Sequence, residues 1–281
     1  MTIAFLTLIL AAATPVITSV DGAGTQASAT ARIIDPRQAR FDACMDRALD
    51  DPAAGIAEAN RWGKEGGRHF ALQCLGFAYS EQDQWAEAIT AFTSAARESE
   101  RAGDGRAAQL WAQAGNAALA ADDAKGALGF FDAALAAGTL GGLNKGEVHL
   151  DRARALVALN RLAEARMEFD DVRKLAPRDP LGWLLSATLA RRMGQLELAK
   201  GDIAEAARLA ASDPAVSLEL GNIAAAEGDF DRAREQWRNC ITLDKDSAAA
   251  GTAMRLISEL DAAEALPAMP SAPAVTPAPA G

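Results

Sequence analysis

The chain has few residues of the types that usually carry catalysis or bind metal ions. It contains two histidines and three cysteines in 281 residues. Neither histidine has a second histidine or a cysteine at the spacing of metal ligands. Glycine-rich phosphate loops, nucleophile elbows and zinc-protease helices are also missing from the sequence. We therefore expect no enzymatic activity, no cofactor and no metal site, and we expect His69 and His149 to have structural or surface roles.

Positive charge is scarce as well. Lysine and arginine together number 28 against 38 acidic residues, which gives a formal net charge of −10, and the basic residues form no cluster. Proteins that bind nucleic acids need a basic face that releases counterions, so no nucleic-acid partner is expected. The adjacent carboxylates Asp170 and Asp171 point about 100° apart on a helix and cannot easily share one reaction centre. We expect them, and Asp122–Asp123, to be solvated.

The sequence also lacks a hydrophobic run of clear membrane-spanning length. Residues 3–20 are apolar, but their hydrophobic core, residues 3–13, is short against the roughly 20 residues that a span needs. The small residues of Ala27-Ser28-Ala29 predict a signal peptide over residues 1–29, although Ala11–Ala13 is a second candidate cleavage site and no Lys or Arg precedes the run. We predict a periplasmic or secreted protein. The alternatives are an uncleaved inner-membrane anchor facing the periplasm, which is the only membrane contact foreseen, and a cytosolic protein.

Apolar residues make up half of the chain, and their pattern repeats at intervals of 34 to 39 residues. Asp-Pro occurs at residues 179–180 and again at 213–214, a period of 34. From Ala187 and Gly221 as equivalent anchors, an alanine follows at +12, a large apolar residue at +16 and a small residue at +19. The same offsets recur from the earlier anchors Ala153, Gly115 and Gly76. The alanines at +12 are Ala88, Ala127, Ala165, Ala199 and Ala233.

This period, with the Leu-Gly-x-x-Tyr pattern of Leu75–Tyr79, resembles the tetratricopeptide repeat, a helix–turn–helix unit. The resemblance covers about residues 67–245. It implies an all-α fold, a right-handed α-solenoid of about six helix pairs and a C-terminal capping helix. Ala153 and Ala187 stand where the family pattern has glycine. The anchors Gly76, Gly115 and Ala153 are 39 and 38 residues apart instead of 34. These wider spacings predict longer helices or loops near residues 100–105 and 138–142.

Helix caps and composition predict the remaining boundaries. Asp35-Pro36 and Asp51-Pro52 are typical of an N-cap followed by proline in the first turn, and they frame a degenerate helix pair over residues 30–66. Its helices are predicted at about 37–50 and 52–64. A capping helix is predicted over residues 246–263, and the five-proline tail, residues 264–281, is expected to be disordered or transiently polyproline-like. The five repeats are predicted at residues 69–107, 108–145, 146–179, 180–213 and 214–245.

Two of the three cysteines fall in the first helices of adjacent units. In an exported protein, a disulfide between Cys44 and Cys74 is chemically permitted, and it would stabilise the fold by roughly 3–4 kcal/mol on the chain-entropy model. The alternative is two buried free thiols. Cys240 occupies a small-residue core position and is expected to be unpaired.

In the tetratricopeptide family the first helices line a concave groove that binds peptides or partner helices. The residues three before the anchors form an apolar row, and the residues one after the anchors form a row of hydrogen-bonding side chains. The two rows are four residues apart on the same helices, so they share one helix face. Arg191 lies one turn beyond the second row. We hypothesise that Asn116, Arg154, Arg191 and Asn222 grip a partner segment, with or without an acidic group, in a clamp that resembles those of the family in residue type but not in its full pattern. In the alternative, the leucines pack between repeats and the polar row is solvated. The predicted groove residues are Asn116, Leu150, Arg154, Leu184, Arg191, Leu218 and Asn222.

The resemblance therefore predicts a non-catalytic protein–protein interaction scaffold that binds a peptide or partner protein in the periplasm. The alternative is a structural subunit of a cell-envelope complex, with contacts through the convex face or the proline-rich tail.

Overall fold

A computed structural model describes residues 35–265, in which 82% of the residues are helical and no strand occurs. The predicted signal peptide and the tail beyond residue 265 lie outside the described residues. The chain divides into two compact units, one ending at Ala176 and one beginning at Pro177. The first unit contains α1 (Pro36–Asp50), α2 (Pro52–Lys64), α3 (Arg68–Ser80), α4 (Trp85–Ala102), α5 (Ala107–Ala120), α6 (Ala124–Ala136), α7 (Gly142–Ala158) and α8 (Leu162–Leu175). The second unit contains α9 (Pro180–Arg192), α10 (Leu196–Leu209), α11 (Pro214–Glu227), α12 (Phe230–Leu243) and α13 (Ala248–Glu264).

Within each unit, every helix packs against the next one in the chain. First helices of neighbouring pairs also touch, as α5 does with α7 and α9 with α11. The described helices thus form six consecutive pairs followed by the single helix α13. This arrangement confirms the predicted all-α solenoid with a final helix.

Aspartate caps set where several helices begin. The Asp179 carboxylate accepts a hydrogen bond from the Leu181 amide at 3.0 Å, and Asp213 accepts one from Ala215 at 2.8 Å. A proline follows each cap in the first turn, where a missing N–H costs nothing. Asp35 and Asp51 cap α1 and α2 in the same way. The Asp-Pro dipeptides are therefore helix starts, as the sequence predicts.

Small residues at the predicted offsets lie where paired helices cross. The five alanines at +12 are completely buried, each with 0% of its surface exposed. The large residues at +16 fill the space beside them, and all of these are buried too. They are Phe92, Phe131, Phe169, Ile203 and Trp237.

The glycine at the anchor position allows the closest of these approaches. A Cβ atom added to Gly115 would lie 2.4 Å from Cε1 of Phe131, and one added to Gly221 would lie 2.4 Å from Cδ1 of Trp237. Both distances are too short for real atoms. The aromatic side chain of the second helix therefore rests directly on the backbone of the first.

We expect Gly115→Ala to lower the free energy of unfolding by about 1–3 kcal/mol, because the new methyl group overpacks against Phe131. Gly129→Ala in α6 is the matched control, since nothing lies within 4 Å of its added Cβ. That change should instead raise stability by about 0.5–1 kcal/mol through helix propensity. Urea denaturation followed by circular dichroism measures both. Equal stabilisation by the two substitutions would contradict the close helix contact at Gly115.

Candidate partner-binding site

The structure brings Asn116 of α5 and Arg154 of α7 together around a carboxylate. Arg154 Nη1 donates to Oδ1 of Asp151 at 2.9 Å, and the Asn116 side chain lies near enough to the same carboxylate to act on its pKa. The Asp151 side chain is only 17% exposed, whereas that of Arg154 is 50% exposed. Burial raises the pKa of the Asp151 carboxyl, and the contacts with Arg154 and Asn116 oppose this shift. We name Asn116, Asp151 and Arg154 the first polar cluster.

A second polar cluster lies in the other unit and consists of Arg191 of α9 with Glu219 and Asn222 of α11. Arg191 binds Glu219 through two hydrogen bonds, Nε to Oε1 at 2.6 Å and Nη2 to Oε2 at 3.1 Å. Asn222 Nδ2 donates to Oε2 of Glu219 at 3.1 Å. Trp237 Nε1 in turn donates to the Asn222 side-chain oxygen at 3.2 Å, which fixes the orientation of the amide. The Glu219 side chain is 6% exposed.

The two clusters share a design that the sequence prediction missed. Asp151 lies two residues before the anchor Ala153, and Glu219 lies two residues before the anchor Gly221. An acidic residue at this offset was the sequence signal that could have predicted the clusters. Each carboxylate holds an arginine and an asparagine that are supplied by two neighbouring first helices. The charge of each arginine is therefore balanced within the chain, and the hydrogen bonds fix the orientations of Arg191 and Asn222 in the second cluster.

The three leucines of the predicted groove have a different role from the polar residues. Leu150 and Leu184 are buried, and Leu184 packs in a cluster with Ile203 and Val216. Leu218 is half-buried and packs with the cluster around Trp237. These contacts favour the packing alternative for the leucines, whose role is to support the helices that carry the polar clusters.

Further buried polar pairs join first and second helices within a pair. The Glu168 carboxylate of α8 accepts a hydrogen bond from Arg152, and its Oε2 lies 2.8 Å from Nδ1 of His149. Ser186 donates to Asp202 of α10 at 2.5 Å. Glu168 and Asp202 occupy the same offset, fifteen residues after their anchors, Ala153 and Ala187. These pairs satisfy polar groups inside the helix packing.

The other histidine lies near the start of the first repeat. His69 is buried and stacks on Phe70 with ring centroids 4.5 Å apart, and its Nε2 lies 3.5 Å from Oδ2 of Asp104. Burial lowers the pKa of the His69 imidazole. Across residues 35–265, no group of three or more His, Cys, Asp or Glu side chains could hold a metal ion.

A disulfide joins Cys44 of α1 to Cys74 of α3, with the two Cα atoms 6.2 Å apart. Both residues are buried beside Phe70 and Trp62. The bond therefore ties the N-terminal helix pair to the first helix of the next pair. Cys240 is free and buried, and burial raises the pKa of its thiol, which disfavours the reactive thiolate.

Among the helices that the structure describes, none combines the length and the apolar character needed to cross a lipid bilayer.

Comparison with known proteins identifies the architecture. No protein-family model matches the sequence, and neither does any curated protein. Solved structures do match. PilW, a type IV pilus biogenesis factor, is 15% identical with a TM-score of 0.66, over 78% of this chain and 98% of its own. PilF from Pseudomonas aeruginosa is 15% identical with a TM-score of 0.62, over 80% of this chain and 100% of its own.

A third solved structure is YrrB, which is described as a tetratricopeptide-repeat protein with an unusual peptide-binding site. It is 19% identical with a TM-score of 0.52, over 71% of this chain and 97% of its own. Identities this low establish the fold alone. The described helices thus have the tetratricopeptide-repeat fold, which confirms the resemblance drawn from the sequence.

Proposed function

We propose that the protein is a non-catalytic scaffold that binds a peptide or a segment of a partner protein on its first helices. The observation that carries this proposal is the pair of polar clusters, in which a carboxylate with little exposed surface lies beside an arginine and an asparagine. Side chains held in this way lose little entropy when a ligand binds, so their hydrogen bonds contribute more of their strength to affinity. Within each unit, the neighbouring first helices that carry a cluster, α5 with α7 and α9 with α11, are in contact and can present their side chains to one ligand.

The geometry of the clusters indicates which chemical groups a partner presents. An arginine has five N–H donors, and Asp151 and Glu219 take one and two of them from Arg154 and Arg191. The remaining donors, with the exposed amide of Asn116, suit main-chain carbonyls of an extended segment. A carboxylate of the partner would have to share its arginine with an internal carboxylate. Hydrogen bonding to the backbone is thus the main interaction, and the acidic group predicted from the sequence is an addition to it.

We further propose that binding takes place in the periplasm. The predicted signal peptide and the Cys44–Cys74 disulfide support this location, because disulfides persist in oxidising compartments. An N-terminal segment that stays uncleaved would hold the same helices at the inner membrane, facing the periplasm.

Affinity capture from a periplasmic fraction, with the chain starting at residue 30, tests the proposal. We expect Arg154→Ala to weaken the captured interaction roughly tenfold, the loss expected for a hydrogen bond from a charged donor, and Asn116→Ala to weaken it roughly fivefold, the loss expected for a neutral hydrogen bond. Arg161→Ala is the matched control, because Arg161 precedes a second helix and pairs with Glu164 at the surface. The Arg161→Ala variant should bind the partner with unchanged affinity.

The control variants also separate this proposal from its alternative, a structural subunit of an envelope complex. Loss of binding in Arg161→Ala with none in Arg154→Ala would place the contact on the second helices. Loss of binding only on truncation after residue 265 would assign it to the tail. Either result contradicts binding on the first helices.

A further inference from the structure

An open apolar groove runs between α3 and α4 in the first unit, away from the residues of the two polar clusters. Its volume is about 370 Å³, and α3 and α4 alone line it in the described part of the chain. Leu72, Leu75 and Tyr79 form one wall, and Ala91 and Ser94 belong to the other. We name it the α3–α4 groove.

Comparison with the next helix pairs shows why this space is open. Leu72 stands four residues before its anchor and Ala91 fifteen after it, and in the α5–α6 pair these offsets hold Trp111 and Phe130. Those two rings stack with centroids 6.1 Å apart. In the α7–α8 pair the same offsets hold the hydrogen-bonded His149 and Glu168. In the α3–α4 pair the shorter side chains of Leu72 and Ala91 do not fill the space that the rings of Trp111 and Phe130 fill in the α5–α6 pair.

The dimensions of the groove fit a short extended segment. Along α4, the lining residues from Ala86 to Ser94 extend over about 12 Å at the rise of an α-helix. About four residues of polyproline II helix have the same length. Glu87 is the one charged residue in the lining, so an uncharged segment enters the groove without desolvating a charge.

The chain itself carries a segment with these properties. Residues 266–281 contain no charged side chain and five prolines. Pro267, Pro270 and Pro273 are spaced by three, and a polyproline II helix has three residues per turn, so the three rings share one edge of such a helix. Grooves with an aromatic wall recognise this conformation because it costs little entropy to bind, and Tyr79 supplies such a wall.

We propose that the α3–α4 groove binds about four successive residues, with two prolines, of the segment 267–273 of a second copy of this chain. The three prolines lie two to eight residues beyond Ala265, so a contact within one chain would require one particular placement of the groove relative to α13. The tail of a second copy approaches the groove without that requirement. The prolines occupy the place that Trp111 and Phe130 fill in the next helix pair, and the contact joins chains into dimers or larger assemblies.

A mixed-label photo-crosslinking experiment on full-length chains tests this proposal. One copy carries p-benzoylphenylalanine in place of Glu87, at the edge of the groove, and has Pro267, Pro270 and Pro273 replaced by serine. The other copy is wild type and uniformly labelled with ¹⁵N. After irradiation, mass spectrometry of the tryptic peptides should find the ¹⁵N-labelled residues 256–281 attached to position 87. Attachment only to the unlabelled tail, to the N-terminal segment, or to no part of the labelled chain would overturn the proposal.

Two variants show whether the groove and the prolines are responsible. Leu72→Trp in the crosslinking copy fills the groove as Trp111 fills the next pair, and the yield should fall at least fivefold with the circular dichroism melting curve unchanged. Serine at the three prolines of the labelled copy should have the same effect. The control places the photoreactive residue at Met167, exposed on α8, where the labelled tail should not attach. Equal yields at positions 87 and 167, or yields insensitive to both variants, contradict specific binding.

Discussion

Phe131→Ala should lower the free energy of unfolding of the first unit by about 3–5 kcal/mol, the range for removing a fully buried aromatic side chain. Phe131 has no exposed surface and rests on the backbone of Gly115 in the paired helix. The surrounding residues Ala127 and Ala134 are too small to fill the cavity. Guanidinium denaturation followed by circular dichroism and tryptophan fluorescence measures the change.

Phe230→Ala is the control for this prediction. Phe230 begins α12 and is 45% exposed, so the same chemical change should cost less than about 1 kcal/mol. If the two substitutions had equal effects, the residue at +16 would not be the centre of the contact between paired helices.

Removing the disulfide should have the second large effect. The bond joins cysteines with a sequence separation of 30, and the chain-entropy model assigns such a loop roughly 3–4 kcal/mol. We expect the double variant Cys44→Ala/Cys74→Ala to lose about this much stability in the first unit, and reductant to destabilise the wild type by a similar amount. Denaturant titrations with and without reductant measure both.

Cys240→Ala provides the control, because Cys240 is buried but free. Its stability should respond to reductant as that of the wild type does. A mass measurement after alkylation without reduction gives an independent check, in which one thiol per chain should react after unfolding. Three reactive thiols would show that Cys44 and Cys74 are two packed free cysteines.

The helix packing could be predicted from the sequence because it depends on side-chain size at fixed offsets. Ala88 and Phe92 occupy the same two offsets as Ala199 and Ile203, where paired helices cross. Five repeats therefore predict the same helix contact five times. The Asp-Pro caps could be predicted equally well, since Asp179 and Asp213 accept hydrogen bonds from amides in the same helical turn. Local rules of this kind need no knowledge of the neighbouring helices.

The polar clusters could not be predicted in the same way. Asn116 and Arg154 were recognised as neighbours on the first helices, but their common partner Asp151 depends on which rotamers the packed helices allow. The α3–α4 groove was missed for a related reason. Leu72 and Ala91 are ordinary apolar residues in the sequence, and only comparison with the stacked Trp111 and Phe130 shows that space is left between them. The division after Ala176 was also not predicted, because the anchors Ala153 and Ala187 on either side of it keep the 34-residue spacing.

Hydrogen–deuterium exchange of the protein with and without its captured partner tests the central claim most directly. We predict slower exchange in the first helices that carry the polar clusters, α5 and α7 or α9 and α11, with no change in the second helices α6, α8, α10 and α12. Slower exchange confined to the second helices would contradict binding on the first helices.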